Sequence, residues 1–96
     1  MINTKEILDP AKALFQQGVD QSRQGNRVEA IQAFDRALEQ EPDHADVYGH
    51  RCVARWQLGD QQGAIADCQQ AVIFYLEQRR GKQHQYALNM LQKLQK

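Results

Sequence analysis

The chain has 96 residues, which is enough for one domain with a modest core and too few for two. Its twelve basic and twelve acidic side chains cancel, so no net charge directs the whole molecule to nucleic acid or to an anionic membrane. Because no apolar run is long enough to cross a bilayer and the first residues lack the pattern of a secretion signal, we expect a cytoplasmic protein that does not bind membranes.

The charges are unevenly distributed along the chain. Residues 1–70 carry seven basic and eleven acidic side chains, whereas residues 71–96 carry five basic and one acidic. The basic residues of the C-terminal part are Arg79, Arg80, Lys82, Lys93 and Lys96. Weak nucleic-acid binding by this basic end is one alternative function, but we do not favour it, because a basic helix end is usually only solvated.

Residues 1–9 form an N-terminal extension that ends close to an apolar pair, Ile7 and Leu8. This pair could pack on the first helix, fill a groove of the same molecule or exchange with a second copy. We expect packing on the first helix, because a short terminus beside a helix start commonly packs there.

The first predicted unit is a pair of helices joined by a tight turn. Asp9 and Pro10 are typical of an N-cap followed by proline in the first helical turn, and the helix then extends to about Gln24. Gly25 breaks it. A second helix, about residues 27–40, ends where a proline forbids its continuation.

The second unit repeats this pattern of helix, turn and helix. Asp43 is the candidate cap of a helix that extends to about Leu58. Gly59 then turns the chain, and a second helix begins near Gln61. Apolar residues recur at helical spacing throughout, and no stretch alternates as a strand would.

The end of the second unit differs from the end of the first. An apolar stretch, 73–76, stands where the first unit has its proline-containing end, so nothing stops this helix. We expect it to continue to about Arg80, with Gly81 as its C-cap. A last helix, about residues 82–95, has one apolar stripe that can cover the new apolar surface and an opposite polar side, as a terminal cap needs.

The two units are related by an internal repeat. A fixed period of 30 to 50 residues is typical of stacked helical arrays, and a shift of 34 residues superposes identical residues of this chain. The superposed pairs include Ala11 and Ala45, Val19 and Val53, Gly25 and Gly59, Ala30 and Ala64, Ile31 and Ile65, and Ala37 and Ala71.

These residues resemble the tetratricopeptide repeat family. In frames that begin at Ala11 and Ala45, the small residue at position eight is Gly18 and Cys52, and the aromatic residue at position twenty-four is Phe34. The family's alanines and closing proline match Ala30, Ala64, Ala37, Ala71 and Pro42. The resemblance covers about residues 10–76.

The resemblance implies an all-α protein of about five helices, in which antiparallel helix-turn-helix repeats stack as a short right-handed α-solenoid. The expected divisions are repeat 1 over residues 10–44, repeat 2 with an extended second helix over 45–80, and a C-terminal capping helix over 81–96. It also implies a protein–protein interaction module, an adaptor or scaffold whose partner is another protein or peptide.

Several positions depart from the family pattern. Its apolar seventh and aromatic eleventh positions are Gln17 and Gln21 in one unit and Arg51 and Arg55 in the other, so we expect part of the helix interface to be polar and more loosely packed. Cys52 and Cys68 replace the family's glycine and aromatic residue. They could form a disulfide if their Cα atoms lie within about 7 Å, but two buried thiols are the simpler interpretation.

No residue set for catalysis stands out. The sequence has no nucleophile with a base, no paired carboxylates on one face and no glycine-rich phosphate loop. The spacing of its three histidines, His44, His50 and His84, matches no zinc pattern. We therefore expect no enzymatic activity, cofactor or metal.

The family's binding groove is lined by the first helix of each repeat. The residues that match its lining positions are Lys12, Phe15, Val19, Ser22, Arg23, Asp46, Gly49, Val53, Trp56 and Gln57. Four of them are apolar and exposed apolar strips usually mark binding sites. The alternative is that the two large aromatic side chains, of Phe15 and Trp56, pack in the core.

Chaperone-binding members of the family hold a terminal carboxylate with a lysine at position five and asparagines at positions six and nine. Here position five is Phe15 or Gly49 and position nine is Val19 or Val53, so that clamp is absent. An apolar or amphipathic peptide or helix is the expected ligand. Homo-oligomerisation, for example as a dimer, through the groove or the C-terminal helices is a further alternative.

Overall fold

The computed structural model describes residues 9–96, which form five α-helices and no strand. The helices are α1 (Pro10–Arg23), α2 (Arg27–Gln40), α3 (Ala45–Gln57), α4 (Gln61–Glu77) and α5 (Gly81–Leu94). The predicted all-α helical repeat is confirmed. The expected packing of Ile7 and Leu8 lies outside the described residues. Within residues 9–96, no helix is both long and apolar enough to span a membrane.

Each helix packs mainly on its neighbours in the chain. α1 packs on α2, α3 packs on α4, and α3 also packs on α2, while α5 packs on α4. Because short turns join successive helices, α1 with α2 and α3 with α4 form two helical hairpins, and α5 follows them at one end of the stack. α4 has 17 residues where α2 has 14, so the second hairpin is longer.

Two glycines make the turns inside the hairpins. Gly25 and Gly59 have φ values of 82° and 85°, in the left-handed region that residues with a Cβ rarely adopt. The residue after each glycine donates its backbone N–H to a carbonyl in the last turn of the preceding helix. Asn26 donates to the Gln21 carbonyl and Asp60 donates to the Arg55 carbonyl, both at 2.9 Å. These bonds satisfy carbonyls that the helix end leaves free.

The turn between α4 and α5 has the same geometry without a glycine, so the predicted C-cap at Gly81 is wrong. α4 ends at Glu77, Arg79 takes the left-handed conformation with φ of 57°, and Arg80 donates to the Tyr75 carbonyl at 2.9 Å. Gly81 is the first residue of α5. The prediction failed because it assigned the left-handed position to the nearest glycine.

The cap predicted for α3 is also wrong. Asp9 caps α1 by accepting a hydrogen bond from the Lys12 N–H at 3.1 Å, but α3 begins after His44, whose side chain makes no cap hydrogen bond. The repeat aligns Asp43 with Asp9 and His44 with Pro10. Proline has a fixed φ that favours the first helical position, and histidine does not, so α3 starts one residue later.

We expect Arg79→Gly to stabilise the protein. Glycine removes the cost of holding a residue with a Cβ at positive φ, so the free energy of unfolding should rise by about 1 kcal/mol. Urea denaturation followed by circular dichroism measures it. Arg79→Ala is the matched control, because it removes the side chain but keeps the Cβ. An equal effect of the two substitutions would contradict this account.

The core consists of three small clusters along the stack, built largely from alanine and cysteine. In the first hairpin Gly18 lies against the Phe34 ring, and a Cβ atom on Gly18 would stand 2.3 Å from Cε1 of Phe34. Only glycine fits there, and the Phe34 ring fills the space that the glycine leaves. In the second hairpin the equivalent residues, Cys52 and Cys68, are buried free thiols.

A buried ion-pair network joins α2, α3 and α4. Arg51 binds both carboxylate oxygens of Asp67, through Nε at 3.0 Å and Nη2 at 2.7 Å, and Arg55 Nη1 donates to the same carboxylate at 3.0 Å. Arg51 Nη1 also donates to Asp35 of α2 at 2.8 Å. Asp67 is only 2% exposed. The polar helix interface that the sequence predicted is therefore this ion-pair network. Its central acceptor, Asp67, was not among the predicted residues.

Asp67→Ala should be strongly destabilising. It leaves the partly buried guanidinium groups of Arg51 and Arg55 without their main acceptor, and breaking such a pair costs about 3 kcal/mol or more in the free energy of unfolding. Chemical denaturation of the purified variant measures the loss.

The first hairpin supplies a matched control for this substitution. Its equivalent residues are Gln17, Gln21 and Ala33, so the triple variant Arg51→Gln, Arg55→Gln, Asp67→Ala leaves no buried charge unpaired, and only the 47% exposed side chain of Asp35 loses its partner. We expect it to be more stable than the single variant. A triple variant that is less stable than Asp67→Ala would show that the cost does not come from uncompensated arginines.

Candidate peptide-binding groove

The helices α1, α3 and α5 share one face of the molecule, which we call the groove face. It carries three open cavities. The cavity between α1 and α3 has a volume of about 320 Å³ and the two between α3 and α5 have volumes of about 150 and 220 Å³. Val53, on α3, lines all three. The residue is central to this face because α3 lies between the two other helices.

Most of the predicted groove residues line these cavities. The cavity between α1 and α3 contains the predicted residues Val19, Ser22, Arg23, Val53 and Gln57. Gly49 and Trp56 line the two cavities between α3 and α5. The Trp56 side chain is 57% exposed, so it is not part of the core.

Three predicted residues have other surroundings. Lys12 lies exposed in the first turn of α1 and lines none of the three cavities. The Phe15 ring is half-buried against His44 and His50, with ring centroids 5.2 and 5.1 Å away, so this aromatic residue packs inside the molecule. Asp46 is engaged in an ion pair.

Asp46 joins α3 to the end of α4. Its carboxylate accepts a hydrogen bond from the Tyr75 hydroxyl and two from the Arg80 guanidinium at 3.2 Å. Burial acts to raise the pKa of Asp46, but these hydrogen bonds and the Arg80 charge outweigh it, so the pKa lies below the ordinary value of 3.8. Arg80 is therefore not a free cation of the basic C-terminal part, which weakens the nucleic-acid alternative.

The Asp46 ion pair should make stability depend on acid pH. A lowered carboxyl pKa stabilises the fold above the ordinary value of 3.8, and this contribution is lost as the pH falls through the folded-state pKa. The stability difference between the wild type and Asp46→Asn should thus be largest near neutral pH and shrink below pH 3.8. Denaturation at a series of pH values tests it. A constant difference would exclude this role.

The sequence analysis missed several residues of the groove face. His50 lines the cavities on both sides of α3, and burial lowers its pKa, so the imidazole is neutral at pH 7. α5 contributes Tyr86, Met90 and Lys93. The apolar stripe of α5 was the available signal, but it was assigned only to covering α4.

Basic side chains border the groove face. Arg23 lines the cavity between α1 and α3, and Lys93 lines the larger cavity between α3 and α5. The linings of these three cavities include no Asp or Glu. Among residues 9–96, no group of three or more His, Cys, Asp or Glu residues could hold a metal ion. The arrangement presents apolar depressions with a positive border.

Comparison with known proteins identifies a family, a relative and a solved structure that are similar to this chain. The model of the tetratricopeptide repeat family matches residues 11–44, which is the first hairpin. Tetratricopeptide repeat protein 36 of Danio rerio is 33% identical over 67 residues, which is 70% of this chain and 36% of that protein. The chain thus spans about a third of the length of this relative.

A solved structure matches most of the chain. It is the first TPR of Spaghetti (RPAP3) bound to the HSP90 peptide SRMEEVD, with a TM-score of 0.68 and 26% sequence identity over 88% of this chain and 72% of that one. The matched family residues, the relative and the solved domain agree with the two hairpins described above. The chain belongs to the tetratricopeptide repeat family.

Proposed function

We propose that the chain is a protein-interaction module whose groove face binds an apolar or amphipathic peptide or helix of another protein. Tetratricopeptide repeats are typically interaction modules and not enzymes, and the similar solved domain is bound to a peptide. The observation that carries the proposal is Val53, an exposed valine that borders all three cavities and lies one helical turn before the exposed Trp56.

The cavities define the kind of ligand that fits. They are separate depressions on either side of α3, so a ligand that crosses α3 can place one apolar side chain in each. An amphipathic helix offers such anchors at spacings of three, four and seven residues. Arg23 and Lys93 favour acidic side chains next to these anchors.

The binding mode differs from a carboxylate clamp. At position five, where chaperone-binding relatives have lysine, this chain has Phe15 or Gly49, and at position nine, where they have asparagine, it has Val19 or Val53. None of these four side chains can donate a hydrogen bond to a terminal carboxylate, and only position six, Gln16 or His50, keeps a donor. We therefore propose recognition of internal apolar side chains, and an amidated peptide should bind as well as a free acid.

Peptides selected from a displayed random library should bind the groove face in solution. Trp56 is the only tryptophan, so its fluorescence reports binding directly. Val53→Glu places a charge at the centre of the cavities and should weaken binding at least about tenfold, which corresponds to 1.4 kcal/mol. Fluorescence titration of selected peptides with both proteins measures this change.

Val28→Glu is the matched control for this experiment. Val28 is 53% exposed, compared with 37% for Val53, and it lies on α2, outside the three cavities. The control variant should bind like the wild type. Equal weakening by the two substitutions, or full binding by Val53→Glu, would exclude the groove face as the binding site.

Self-association is a second candidate function. Ile73 and Leu76 are exposed apolar residues of α4 that α5 leaves uncovered. If a second copy covers them, sedimentation at high micromolar concentration should detect a dimer, and Leu76→Glu should make it monomeric. A wild-type protein that stays monomeric at these concentrations would exclude this candidate.

A further inference from the structure

Three sulfur atoms from three helices meet beneath the groove face. The Cys52 thiol of α3 lies 3.7 Å from the Met90 thioether of α5 and also contacts the Cys68 thiol of α4. The Cys68 thiol donates to the main-chain carbonyl of Ala87 at 3.2 Å. Both cysteines are 1% exposed, and the three residues form the floor of two of the groove-face cavities.

The internal repeat explains why the two thiols meet. In the internal repeat Cys52 aligns with Gly18, and Cys68 aligns with Phe34. Gly18 and Phe34 are in close contact in the first hairpin. A glycine and a ring share that volume in the first hairpin, whereas two cysteines share it in the second. This exchange leaves room next to the thiols, and the Met90 side chain of α5 occupies part of it.

The sulfur cluster lies between two cavities. Cys68 and Met90 line the cavity of about 150 Å³, and Cys52 and Met90 line the cavity of about 220 Å³. Lys93, an exposed residue, also lines the second cavity. The nearest carboxylate in the sequence, that of Asp67, is occupied by Arg51 and Arg55. Besides the sulfur atoms, the cavity of about 150 Å³ has His50 and Tyr75 as polar lining residues.

We propose that Cys52, Cys68 and Met90 form a binding site for a soft monovalent metal ion, copper(I). Thiolate and thioether ligands favour soft metals, of which copper(I) is one. With metal–sulfur distances of about 2.3 Å, two sulfur ligands of one trigonal ion lie roughly 4 Å apart, close to the 3.7 Å between Cys52 and Met90.

Binding exchanges protons for the metal without electron transfer. Each thiol loses its proton to solvent, the two thiolates and the neutral thioether each donate a lone pair to copper(I), and the resulting site carries one negative charge near Lys93.

The test is an anaerobic titration of the full reduced chain with copper(I) in competition with bicinchoninate, a coloured copper(I) chelator. Thiol counting before each titration establishes that both cysteines are reduced. We expect the wild type to withdraw one equivalent of copper(I) from the chelator. A wild type that withdraws none would overturn the proposal.

Two variants separate the site from accidental binding. Cys52→Gly combined with Cys68→Phe reproduces the Gly18 and Phe34 pair, so it removes both thiols while keeping a side-chain combination that packs in this fold. Its affinity should fall at least about 100-fold. Met90→Leu keeps an apolar side chain of similar size and should weaken binding about tenfold.

The outcomes of these variants decide the assignment. Unchanged affinity of the double variant would place copper elsewhere, and unchanged affinity of Met90→Leu would exclude the three-sulfur site. Circular dichroism verifies that each variant is helical. If the double variant does not fold, Cys68→Ala replaces it, with the same loss expected and the same contradiction if binding persists.

Discussion

The carboxylate of Asp67 is the buried charge on which the arrangement of α2, α3 and α4 depends. Both of its oxygens are held by arginines of α3, and one of these arginines, Arg51, also reaches Asp35 of the first hairpin. Charged groups lose much solvation on burial, so their partners and geometry are tightly specified. The network fixes the rotation of α3, which carries Val53 to the centre of the groove face.

The two hairpins show how one repeat can be filled in two ways. The first matches the family model and uses a glycine and an aromatic ring at its closest contact. The second hairpin lies outside the residues that the family model matches. It has thiols where the first hairpin has the glycine and the ring, and an ion-pair network where the first hairpin has uncharged residues. Stacking is retained because volume and polar partners are satisfied in each: among the described residues, no buried side-chain polar atom lacks a hydrogen-bond partner.

Helix number and approximate bounds could be predicted because periodic apolar residues, Pro10 and the turn glycines act locally. The errors arose at helix ends, and where a partner distant in sequence decides. Arg79 takes a conformation that favours glycine because the chain must turn between α4 and α5. Asp67 aligns with an alanine of the first unit, so the repeat gave no sign of its role. The contribution of α5 to the groove face required knowing how that helix packs.

The position of α5 at the end of the stack affects how the groove face can open. α5 packs mainly on α4, yet it also contributes to both cavities next to α3. Tyr86 and Met90 line one of these cavities, and Met90 and Lys93 line the other. In stacked repeats each element is held mainly by its neighbours, so a helix that packs mainly on one other helix can detach at a lower cost than global unfolding. Detachment of α5 would enlarge both cavities and bring solvent to Cys52 and Cys68, while the first hairpin stays folded.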